Sequence, residues 1–307
     1  MLVNILLLIL GFLMLIRGAD YFVDGSSALA KRMHIPSIII GLTVVAMGTS
    51  APEAAVSISS AIQGSSAIAI GNIIGSNIAN ILLILGITSI ITTLTVQKNT
   101  VVYETPFVIL ITTLLCAIGW KYGEISRVWA GALFVLFLGF LGYLYAISKN
   151  SPEQADEIKS IGKIKIVLYI VLGAIALVIG SKIAVAASCE IARYIGVSER
   201  IIGLTLVAFG TSLPELVTSV IAARKGEADI AIGNIIGSNI FNILFILSIT
   251  GLILPIPFDS AFLVDGAAAI FAAILLLACM AKNMRLTRPA GVLFILCYAA
   301  YLVFLTM

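Results

Sequence analysis

The sequence predicts an all-α integral membrane protein: ten transmembrane helices forming two inverted five-helix repeats, with helices broken at a polar site. Three observations predict it: an apolar, charge-poor composition, a basic-residue bias between alternate loops, and a long internal repeat. Of 307 residues, 61% are hydrophobic and 11% charged, and the mean hydropathy is +1.18. A soluble domain carries about 25% charged residues, so water is not the main solvent of this chain. Apolar runs of roughly 20 residues recur along nearly the whole length, each long enough to cross a hydrocarbon core about 30 Å thick.

Breakers between these runs give spans at 2–30, 36–62, 67–93, 101–119 and 127–147, then at 164–192, 199–223, 228–253, 261–281 and 288–306. The first run has no basic residue ahead of it and no small-residue cleavage site, so it is expected to be retained as a span. The markedly polar stretch is Ser148–Lys163. Residues 1–147 and 164–307 therefore read as the two five-helix repeats, and 148–163 as a cytoplasmic linker too short to fold alone. Loops on one side carry 12 Lys and Arg residues against 4 on the other. The positive-inside rule assigns the richer side to the cytoplasm and both termini to the outside of a cell membrane. Cys116, Cys189, Cys279 and Cys297 lie scattered in apolar segments, where thiols act as small fillers. The bilayer is the expected partner; a net charge of +3 gives no reason to expect nucleic acid.

The repeat is explicit. IIGLTVVAMGTSAPE ends at Glu53 and IIGLTLVAFGTSLPE at Glu215; AIAIGNIIGSNIANILLIL ends at Leu85 and DIAIGNIIGSNIFNILFIL at Leu247. Both pairs keep an offset of 162 residues without a gap, and most positions are identical. Five spans per half is an odd number, so the second half must sit upside down relative to the first. Secondary transporters are built this way, with the substrate site near the midplane.

The repeated residues suit a hard cation. Pro52 and Pro214 cannot donate a backbone N–H, so each frees the carbonyl four residues back, at Gly48 and Gly210. Broken backbone at membrane depth is tolerated where it lines a polar cavity. Beside each break stands a carboxylate, which costs about 2.5–3.5 kcal/mol at the centre of a membrane helix. Thr49, Glu53 and Ser57 share a helix face, as do Thr211, Glu215 and Ser219, and Asn72, Ser76 and Asn80 recur at steps of four, as do Asn234, Ser238 and Asn242. Gly71, Gly75, Gly233 and Gly237 would let backbones approach. Carboxylates, hydroxyls, amide oxygens and carbonyls together suit calcium and sodium. The single histidine, His34, lies in a short basic loop, so softer metals and Ser–His or Cys–His enzyme chemistry lack their ligands and bases.

The segments GTSAPE and GTSLPE, each followed by GNIIGSN, resemble the alpha repeats of the calcium/cation antiporter superfamily, and in particular its prokaryotic sodium/calcium exchangers. The resemblance implies that Glu53 and Glu215 are ligands shared by both ions. It implies oxygens from Thr49, Ser50, Thr211, Ser212, Ser76 and Ser238, carbonyls from Ala46 and Ala208, and Asn80 and Asn242 at the central position. It also implies alternating access, with the first and sixth helices sliding across the rest, and no cofactor: calcium and sodium are cargo. Several relatives, potassium-dependent exchangers among them, carry an acidic residue at the position of Asn242, and cation/proton exchangers carry Glu after the GN dipeptide. Both departures favour sodium/calcium exchange. A calcium/proton antiporter is the alternative within transport, and a cation channel the alternative of another class.

The remaining charges are expected to be structural. Arg17, Asp20 and Asp24 lie at spacings of three and four, so a local ion pair or an interfacial snorkel is expected, and Lys182, which aligns with Asp20 across the repeat, is read the same way. Glu104, Glu124 and Glu190 stand near span ends and are expected at the interface.

Overall fold

The computed structural model describes residues 1–150, 162–196 and 208–306. Most of the linker 148–163, together with Arg200 and the start of the span at 199–223, lies outside the described residues. Helices dominate, as the apolar runs require: a backbone with no water to bond must satisfy itself within each segment.

Helix α1 covers Leu2–Met33 and closes on His34 in the left-handed conformation, φ 55°. Next come α2 (Ser37–Thr49) and α3 (Ala51–Ile62), bent by 50° from one another. Pro52 explains the break. It lies in the first turn of α3, where its missing N–H costs no helical bond. The first half continues with α4 (Ala67–Ile91), α5 (Thr100–Tyr122) and α6 (Arg127–Lys149). The second contains α7 (Lys163–Tyr194), a short turn at Ala208–Gly210, α8 (Leu213–Arg224), α9 (Ala228–Ile253), α10 (Ala261–Ala281) and α11 (Arg288–Leu305). Among the described residues, 8 helices are long and apolar enough to cross a membrane, or 9 when α2 and α3 count as one bent span. The chain is thus a multi-pass, all-helical membrane protein.

Helices α4 and α9 form the centre. Their most apolar windows are 78% and 94% buried, against 22% for α1 and 28% for α7. The outer helices α1 and α7 pack on each other antiparallel, with backbones in contact. A Cβ added at Gly173 would lie 2.8 Å from the Gly18 carbonyl, and one at Gly180 would lie 2.9 Å from that of Gly11. Helix α2 packs equally closely on α9: a Cβ at Gly237 would meet the Leu42 carbonyl at 2.6 Å, and one at Gly233 would meet Gly41 Cα at 2.9 Å. Gly233 and Gly237 therefore serve the close approach expected of them. Gly71 meets only the Phe262 ring, at 3.6 Å.

Four two-residue strands clasp the halves together. After α4, β1 (Leu94–Thr95) pairs antiparallel with β4 (Arg285–Leu286), which precedes α11. After α5, β2 (Glu124–Ile125) pairs with β3 (Ile256–Pro257), which follows α9.

Two expectations for the charged residues are corrected. Asp20 and Asp24 do not rely on Arg17. They bind Lys225 at 3.2 and 2.7 Å, across some 200 residues of sequence, and Ser27 donates to Glu227 beside them. Glu104 is buried rather than exposed at a span end: a π-helical turn at Thr100–Glu104 carries it inward, where it is 2% exposed and accepts a hydrogen bond from Tyr143 at 2.8 Å. Glu190 and Glu124 are exposed.

Candidate ion site

The break between α2 and α3 points Glu53 into the protein from the first turn of α3, and Glu215 enters the same way from α8. Both are 1% exposed. Each carboxylate is held by a serine of the other half: Ser50 Oγ donates to Glu215 Oε1 at 2.9 Å, and Ser212 Oγ to Glu53 Oε1 at 3.3 Å. Thr49 and Thr211 stand beside the same carboxylates. Thr49 donates to Asn234 Oδ1 at 2.8 Å.

Asn72 and Asn234 support the two acidic turns. Asn72 Nδ2 donates to Ser57 Oγ at 3.0 Å and to the Glu53 carbonyl at 3.3 Å. Asn234 does the same for Ser219, at 2.9 Å, and for the Glu215 carbonyl, at 3.3 Å. They fix the half-helices that carry the carboxylates.

The central asparagines are oriented by residues the sequence did not single out. Asn80 Nδ2 donates to Asn239 Oδ1 at 3.0 Å, and Asn242 Nδ2 to Asn77 Oδ1 at 2.9 Å. Asn77 and Asn239 each donate in turn to the other's backbone carbonyl at 3.3 Å. With both amide groups used as donors, the Oδ1 atoms of Asn80 and Asn242 are left facing inward as acceptors. Asn80 lies in a π-helical turn, Ala79–Leu85, and Asn242 opens another, Asn242–Ile246; such turns often mark functional sites in helices.

Among the described residues, six buried oxygens of this cluster have no hydrogen-bond partner: Glu53 Oε2, Glu215 Oε2, Asn80 Oδ1, Asn242 Oδ1, Thr211 Oγ1 and Ser238 Oγ. Buried polar atoms in native proteins are normally paired. Six unpaired oxygens on one polar cluster, two of them from carboxylates, form a donor set for hard cations. Ser76 is buried in the same helix as Asn80.

Backbone carbonyls at the breaks are partly engaged within the protein. Ala46 O accepts the Ser50 N–H at 3.0 Å and lies 3.3 Å from the Thr49 hydroxyl. The Gly210 carbonyl, freed by Pro214, is taken by the Ser181 hydroxyl of α7 at 2.7 Å. In the second half the Ser212 N–H bonds Phe209 O at 3.1 Å, one residue on from Ala208.

A carboxylate pair enclosed among apolar membrane helices, with unpaired oxygens around it, is the chemistry of an ion transporter. Comparison with known proteins makes the assignment definite. The family described as "Sodium/calcium exchanger protein" matches residues 3–146 and 165–307, and the chain belongs to that family. Sodium/calcium exchanger MaX1 of Methanosarcina acetivorans is 34% identical, with 99% of this chain and 98% of that protein covered. Inner membrane protein YrbG of Escherichia coli is 35% identical, with 95% and 94% covered. The solved structure of the sodium-calcium exchanger NCX_Mj superposes with a TM-score of 0.86 at 32% identity, covering 98% of both chains.

Proposed function

We propose that this protein exchanges sodium for calcium across the cell membrane by alternating access, using one site shared by both ions. Glu53 and Glu215 supply the charge. Thr49, Ser50, Thr211, Ser212, Ser76 and Ser238 add oxygens, Asn80 and Asn242 line the centre, and Ala46 and Ala208 contribute carbonyls. The observation that carries this reading is the set of six unpaired buried oxygens between two serine-held carboxylates.

The proposed frame is ten spans in two inverted halves, 1–147 and 164–307, joined by a cytoplasmic linker at 148–163, with both termini outside. Two relationships support inversion. The antiparallel packing of α1 on α7 is what inverted first helices would give. The strand clasps pair the connector after α4 with the one after α10, but the connector after α9 with the one after α5. The equivalents α4 and α9 thus lead to different clasps, as they must when one half is upside down.

Two carboxylates carry about −2 when ionised, which one calcium ion neutralises. Sodium offsets the same charge only by occupying more than one position, so the two ions displace each other. The test is radioactive calcium uptake into sodium-loaded proteoliposomes. Uptake that requires internal sodium, and that a proton gradient cannot replace, is expected; uptake driven by a proton gradient alone would contradict the reading.

A further inference from the structure

Charged residues tie α1 to the connector between α8 and α9. Asp20, Asp24 and Ser27 follow one another at steps of four and three, on one face of α1. Lys225 Nζ lies 2.7 Å from Asp24 Oδ1, 3.2 Å from Asp20 Oδ1 and 3.1 Å from the Asp20 carbonyl. One turn further along α1, Ser27 donates to Glu227 Oε1. A single exposed ion pair contributes little; here one ammonium, its side chain 30% exposed, meets three oxygens of one helix.

Bonds needed by the shared scaffold would recur at the 162-residue offset, and these do not. Lys182 stands in place of Asp20, Ala186 of Asp24, Cys189 of Ser27, Gln63 of Lys225 and Ser65 of Glu227. That set holds no carboxylate, so no ion pair forms within it. An ion pair made at one face alone makes the two faces of an inverted repeat unequal.

The face that carries these bonds is also a sealed one. Beside the connector, α2 packs on Gly233 and Gly237 of α9, and Asn234 between them is fully buried. Of their repeat equivalents, Gly71 is exposed and Asn72 and Gly75 are half-buried. Because the backbones of α1 and α7 touch, a bond that restrains α1 restrains both outer helices.

We infer that Lys225 is a latch: by binding Asp20 and Asp24 it holds α1 against the α8–α9 connector, favours the state closed to the cytoplasm, and so makes calcium affinity unequal at the two faces. This role presupposes the alternating access proposed above. Apparent affinity at a face is the intrinsic affinity multiplied by the fraction of molecules open there. Releasing the latch raises the fraction open to the cytoplasm, so half-saturating calcium falls on that face relative to the outer one.

Two measurements on the full-length protein test the latch. Spin labels at Lys31→Cys and Arg224→Cys, both exposed positions, on a background without the native cysteines, report the distance from α1 to the connector and need no transport. Lys225→Glu should add a population at longer distance, and Lys225→Arg should keep the parent distance. Lys225→Glu combined with Asp24→Lys, which pairs the charges in reverse, should return towards it. Calcium uptake into sodium-loaded right-side-out and inside-out vesicles gives half-saturating calcium at each face. The outer-to-cytoplasmic ratio should rise by about threefold or more in Lys225→Glu and recover in the reversed pair; a merely structural defect would lower uptake without moving the ratio. An unchanged distance or ratio in Lys225→Glu, or no recovery in the reversed pair, would overturn the latch. Failure of the parent to exchange sodium for calcium would contradict the proposed function instead, and the spin-label distances would still decide whether Lys225 restrains α1.

Discussion

Ser50 donates its hydroxyl to Glu215 at 2.9 Å, so the carboxylate of one half is held by the broken helix of the other. The reciprocal bond, Ser212 to Glu53, is longer at 3.3 Å. Each half fixes its own acidic turn through Asn72 or Asn234, while the carboxylate itself is held by the serine of its counterpart. Any movement that separates the halves at this level alters both carboxylates together.

Ser50→Ala removes a donor from a buried carboxylate. Hydrogen bonds to charged groups contribute about 1.5–3 kcal/mol, so apparent calcium affinity should weaken by about tenfold to hundredfold. Ser212→Ala, at the longer bond, should have the smaller effect. Half-saturating calcium in sodium-loaded vesicles measures both; equal, negligible changes would show that the serines do not position the site.

The asparagine quartet predicts the consequence of adding charge. Asn242 donates to Asn77 Oδ1, and an ionised aspartate cannot. Asn242→Asp should therefore reduce calcium uptake and make it depend on pH, because only the protonated side chain restores the donor. The parent protein, without a third carboxylate in the site, should exchange fully with potassium replaced by choline. Strict potassium dependence of the parent would contradict this use of Asn242.

Much of the site was legible because the repeat displayed it twice: Glu, Ser, Thr and Asn persist at an offset of 162 residues in otherwise apolar helices. Asn77 and Asn239 were missed because they fall off the four-residue stripe of Asn72, Ser76 and Asn80. Their signal was the second asparagine of GNIIGSN, repeated as faithfully as the first. Glu104 was misplaced because distance from a span end does not reveal a π-helical turn that rotates a side chain inward. The Lys225 bonds to Asp20 and Asp24 join residues about 200 apart, which local spacing cannot foresee. The Gly210 carbonyl was predicted free from Pro214 alone; the hydroxyl that takes it comes from another helix.

Gly237 should tolerate no side chain. With the Leu42 carbonyl 2.6 Å from a Cβ placed there, Gly237→Val forces α2 off α9. Overpacking costs about 1–3 kcal/mol, so the melting transition in detergent should fall by several degrees. Gly131→Val, where a Cβ meets nothing within 4 Å, is the control and should melt like the parent.

Orientation follows from the basic-residue bias. Cysteines placed at Ser65 and Asp259, on a background without the native four, should react with an impermeant thiol reagent from outside intact cells. One at Lys98 should be protected until the cells are opened. The opposite pattern would reverse the assignment of sides.

The most direct test is calcium–sodium exchange by Glu53→Gln and Glu215→Gln in proteoliposomes, each variant checked for a monodisperse elution profile. Glutamine keeps the shape of the side chain and removes its charge. If the two carboxylates are the ligands shared by both ions, each variant should remain folded and lose sodium-driven calcium uptake. Uptake near that of the parent in either folded variant would contradict the shared carboxylate site.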